Sequence, residues 1–83
     1  MLYLAEFYLP SSARPAEVAG RARAGADLAA GAGAEVSFVR VIFVPQDESC
    51  FVIYAAGSAQ DVATAGQHAG LVFDRVVAAV SVP

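Results

Sequence analysis

Between residues 36 and 56 two apolar runs are separated by five turn-forming residues, and this pairing constrains the chain more than any other feature. Val36–Val44 holds seven apolar residues in nine, four of them valine, and Cys50–Ala56 is apolar throughout. β-branched and aromatic side chains suit a pleated surface. Pro45-Gln46-Asp47-Glu48-Ser49 has the length and polarity of a hairpin connection. The segment reads as a β-hairpin.

A strand and a helix precede this hairpin, and a helix and a strand follow it. Met1 to Leu9 reads as the first strand, with Tyr3, Ala5 and Phe7 alternating with Leu4, Glu6 and Tyr8. Pro10-Ser11-Ser12 ends it, because Pro donates nothing to a ladder and Ser favours turns. Ala16 to Ala30 reads as a helix. Pro15 suits its first turn, Ser12 or Arg14 lies just before it, and Glu17 sits near its positive end. Val18, Ala22, Ala26 and Ala29 (or Leu28) approximate a 3.6-residue period. Gly20 and Gly25 weaken this helix by ~1 kcal/mol each relative to Ala and suggest close packing on the sheet. Gly31-Ala32-Gly33 supplies its stop.

Ala59 to about Ala69 reads as the second helix. Ser58 and Asp61 resemble a capping box, Val62, Ala65 and Ala69 form the buried stripe, and Gly70 closes it. Val76 to Val82 reads as the last strand, with Asp74 and Arg75 at its entrance. The order βαββαβ predicts one α+β domain over residues 1–83, a ferredoxin-like sandwich. Right-handed crossovers give a four-stranded antiparallel sheet, order fourth, first, third, second, with both helices on one face.

Two helices cover one sheet face, and a monomeric antiparallel sheet then shows polar residues on the other. Here Val36–Val44 is apolar on both faces: Ser37, Val39, Val41 and Phe43 on one, Val36, Phe38, Ile42 and Val44, interrupted by Arg40, on the other. A bare face of that kind exceeds what monomers usually tolerate, so a homodimer through or beside it is expected. A chain of this size also gains stability from added buried area, since alone it buries only about 60% of its unfolded surface.

Composition removes several classes of function. Five arginines, no lysine and a net charge of -3 do not make the dense basic stripe that nucleic acid requires. No apolar run approaches the roughly 18 residues of a membrane span. Glu6 stands where a signal peptide would carry basic residues, so a cytoplasmic protein is expected, and the abundance of Ala, Gly, Val and Arg without Lys suggests a GC-rich bacterial genome. The single cysteine, Cys50, allows no internal disulfide.

Glu6 and Arg40 are the lone charges inside the first and second strands. Those strands flank the third and stand roughly 9.6 Å apart, so Arg40 is placed to lean toward Glu6. Glu6 is the first candidate for a metal ligand or general base, with Arg40 orienting an oxygen. Either residue serves equally as an interface ion pair. Tyr8, Tyr54 and Phe38 are candidate ligand-binding residues, although core packing is the commoner use of strand aromatics. His68, near the end of the second helix, is a second candidate metal ligand, and an exposed histidine beside the negative helix end explains it as well. Cys50 more often serves as a small buried apolar residue than as a nucleophile. Asp47-Glu48 reads as a solvated hairpin tip.

Tyr54-Ala55-Ala56-Gly57-Ser58, Val62, Ala69-Gly70-Leu71 and Asp74-Arg75-Val76 resemble the second half of a family of small bacterial proteins, one branch of which is described as nickel-binding. Leu4-Ala5-Glu6, with Pro10 four residues after Glu6, is similar to the family's first strand. The resemblance implies a ferredoxin-like fold, a dimer, and nickel or another divalent metal near the dimer interface, with Glu6 at a commonly acidic position. It also exposes two departures: Val52 stands where family members often have Cys, and Gly66 where they often have His. Two functions follow. One is a small dimeric protein binding a metal or a small ligand. The other is a cofactor-free acid/base enzyme, of isomerase or cyclase type, acting on an apolar substrate in the sheet-face cavity.

Overall fold

The computed structural model describes all residues, Met1–Pro83. Its elements are β1 (Leu2–Tyr8), α1 (Pro15–Gly31), β2 (Val36–Val44), a 3₁₀ turn (Pro45–Asp47), β3 (Ser49–Ala56), α2 (Ala59–Ala69) and β4 (Arg75–Ala79). The strands form one antiparallel sheet in the order β2-β3-β1-β4, the order expected from two right-handed crossovers.

The core lies between the sheet and the two helices. Ala5 and Phe7 of β1, and Cys50, Val52, Tyr54 and Ala56 of β3, are buried there against Val18, Ala22, Ala26 and Ala29 of α1 and Val62, Ala65 and Ala69 of α2. Ala29, not Leu28, completes the α1 stripe, and Leu28 is exposed. Gly25 packs against α2 rather than the sheet: a Cβ there would lie 2.7 Å from Ala69 Cβ. Gly20 faces open space and takes part in no close packing.

The helix ends follow the sequence with one exception. Asp61 N–H donates to Ser58 Oγ at 3.2 Å, and Gly70 closes α2 in the left-handed region at φ 68°. Neither Ser12 nor the Arg14 side chain caps α1: Arg14 is its N-cap residue and makes no capping hydrogen bond. Arg21 supplies a tertiary link that no local sequence pattern marks. Its guanidinium donates to the carbonyls of Ala69 and Gly70 at 3.2 and 2.8 Å, tying α1 to the unsatisfied C-terminus of α2.

Two strand expectations change. β4 ends at Ala79 rather than Val82, because its only neighbour, β1, ends opposite it at Leu2 and offers no ladder beyond. In β2 the register shifts between Phe38 and Arg40, with Phe38 opposite Tyr54 and Arg40 opposite Ile53. Val39 is the extra residue of a β-bulge. The bulge reverses the alternation, so Val36, Phe38, Val41 and Phe43 face the helices while Ser37, Arg40, Ile42 and Val44 face away.

Candidate functional site

The sheet face turned away from the helices is the candidate site. Reading across the strands, one rung carries Ile42, Phe51, Glu6 and Arg75, and the next carries Arg40, Ile53, Leu4 and Val77. None of these side chains is buried, and Ile42 is 47% exposed. A cavity of about 370 Å³ lies on this face, floored by Leu2, Leu4, Ile42 and Ile53, with Arg40 at its wall and Val80 beside β4. Its volume falls within the roughly 300–1,000 Å³ of small-molecule sites.

Glu6 and Arg40 share this face but do not pair. The register sets Glu6 opposite Arg75, whose Nε lies 3.8 Å from Glu6 Oε1, while Arg40 sits two strands and one rung away. The pair forms because β4 begins at Arg75, one residue before the expected start at Val76, which makes Arg75 the first residue of the ladder beside β1. Glu6 does not line the cavity.

The remaining candidates are dispersed. Tyr54 and Phe38 project to the helix side, not into the open face. Tyr54 is fully buried, edge-on to Phe73, its hydroxyl has no partner, and burial pushes its phenol up to about 12. Phe38 lies beneath the Arg23 guanidinium, 5.1 Å from the ring centroid. Tyr8 lies at the rim of the open face, where its hydroxyl donates to Glu48 Oε2 at 3.4 Å. Glu48 also accepts the Ser11 N–H at 2.8 Å, so the tip stays open to solvent, as expected, and in addition anchors the chain after β1.

His68 is exposed in the last turn of α2, across the sheet from Glu6, so these two proposed ligands cannot meet within one chain. Cys50 is fully buried on the helix side, and burial raises its thiol above the ordinary range. Val52 and Gly66, the two departures from the resembling family, are also buried. The Phe73 ring lies against Gly66, and a Cβ there would come 2.5 Å from its Cε2. No three His, Cys, Asp or Glu side chains converge anywhere in the chain. No helix is long and apolar enough to cross a membrane.

The sequence model of a family described as nickel responsive protein SCO4226-like matches residues 3–78. The crystal structure of SCO4226 from Streptomyces coelicolor A3(2) superposes with a TM-score of 0.75 at 17% identity, covering 99% of this chain and 100% of that one. At that identity the likeness is one of fold. No curated protein sequence matches the chain.

Proposed function

The chain belongs to the SCO4226-like family of nickel responsive proteins. We propose that it acts as a homodimer, its two open sheet faces turned toward each other around a small bound molecule. The observation that carries this proposal is the open face itself. Leu2, Leu4, Ile42, Phe51, Ile53 and Val77 form an apolar surface that no element of the chain covers. A second copy supplies the missing layer and removes that surface from water.

Nickel favours convergent imidazole and thiolate donors. The donors of a single chain do not fit it: Glu6 is engaged by Arg75, His68 lies on the other side of the sheet, and Cys50 is sealed in the core. The residues therefore favour a small organic ligand over a metal ion. The acid–base enzyme has less support, because its general base, Glu6, lies outside the cavity.

Native mass spectrometry before and after nickel, and again after EDTA, tests both parts. The expected species has the mass of two chains and retains no stoichiometric nickel. A monomer would overturn the dimer. A chelator-sensitive nickel ion on each chain would restore the metal-binding function.

A further inference from the structure

Arg40 is the only charged side chain lining the open-face cavity. It makes no ion pair or hydrogen bond within the chain, whereas Arg75 on the same face is occupied by Glu6. Glu6, Arg40 and Arg75 are the charges on the four strands that point this way, so the face carries one more arginine than carboxylate in a chain of net charge -3. The bulge at Val39 places Arg40 there: under unbroken alternation from Val36, Arg40 would point into the core. Around it, Leu2, Leu4, Ile42 and Ile53 offer hydrocarbon, and Ser81 is the one other polar side chain in the lining.

We infer that the cavity binds a small monoanion with an apolar body, of the class of medium-chain carboxylates, its carboxylate on the Arg40 guanidinium and its hydrocarbon along Leu4, Ile42 and Ile53. A planar guanidinium accommodates a carboxylate through two parallel hydrogen bonds. The apolar body displaces water from surface that would otherwise stay wet. Charge and composition select this ligand together. A neutral apolar molecule leaves Arg40 unpaired once the face is covered, and an uncompensated buried charge is costly. A strongly polar anion gains nothing from the floor.

The inference rests on the dimeric reading above, and its test separates the two. Octanoate and octanol are titrated calorimetrically into the wild-type protein, Arg40→Met and Arg40→Lys, with sedimentation velocity run on the same samples. Octanoate is expected to bind the wild type about tenfold more tightly than octanol, as one charge-assisted contact implies. Arg40→Met removes that preference, and Arg40→Lys keeps part of it. Equal affinities in the wild type, a preference that survives Arg40→Met, or a dimer that binds neither compound would overturn the anion site. A monomer that prefers octanoate would sink the dimer and leave the anion site standing.

Discussion

Glu6 on β1 stands opposite Arg75 on β4, with 3.8 Å between Oε1 and Nε, in a rung that is otherwise Ile42 and Phe51. Both partners reach solvent: the side chains are 33% and 64% exposed. Exposed pairs of this kind contribute between nothing and about 1 kcal/mol. Glu6→Gln is therefore expected to change thermal stability by less than about 1 kcal/mol and to leave octanoate affinity within about twofold. A large loss of ligand affinity in that variant would return Glu6 to the site.

Two glycines in one helix behave oppositely. At Gly25 an added methyl meets Ala65 O and Ala69 Cβ, each 2.7 Å away, and overpacking of that kind costs about 1–3 kcal/mol. At Gly20 the methyl meets nothing, and the better helix propensity of Ala is worth up to about 1 kcal/mol. Urea unfolding of Gly25→Ala and Gly20→Ala is expected to show the first destabilised and the second stabilised.

Tyr54 buries a hydroxyl that finds no partner. Removing such a group without disturbing the ring is neutral or stabilising, so Tyr54→Phe is expected to gain up to about 1 kcal/mol at pH 7. Burial raises the phenol from 10.0 to about 12 in the folded chain. The unfolded chain thus releases its proton first, and stability falls as pH rises between those values. Near pH 11 the wild type loses about 1 kcal/mol that Tyr54→Phe retains. Equal losses in the two proteins at pH 11 would contradict this assignment.

Val39 is extra to the β2 ladder. Its deletion leaves Val36, Phe38, Val41 and Phe43 at strictly alternating positions facing the helices, with Arg40 still facing away. The shortened chain is expected to fold with an unchanged circular dichroism spectrum and an unfolding midpoint within a few degrees of the wild type. Loss of folding would show that the bulge is required by the turn or by the α1–β2 connection.

The fold was legible because each element carries its own local signal: valine-rich runs, Pro15 ahead of α1, Ser58 and Gly70 around α2. Sheet order then followed from crossover handedness. The candidate site was legible only in part. A bulge has no sequence mark in Phe38-Val39-Arg40, so simple alternation groups Phe38 with Ile42 and Val44, whereas the register shift puts Phe38 with Val41 and Phe43 on the helix side. Glu6 was matched to Arg40 because its true partner, Arg75, lies 69 positions away in sequence at the first position of β4. The link from Arg21 to the end of α2 is likewise tertiary and leaves no local pattern.

The most direct test of the account is sedimentation equilibrium of the wild type and Ile42→Asp over a micromolar concentration range. Ile42 is half-exposed in the single chain, so the charge is tolerated by the fold but placed in the middle of the proposed interface. A wild-type dimer and a folded, monomeric Ile42→Asp are predicted. A wild-type monomer, or an Ile42→Asp dimer as tight as the wild type, would contradict association through the open sheet face.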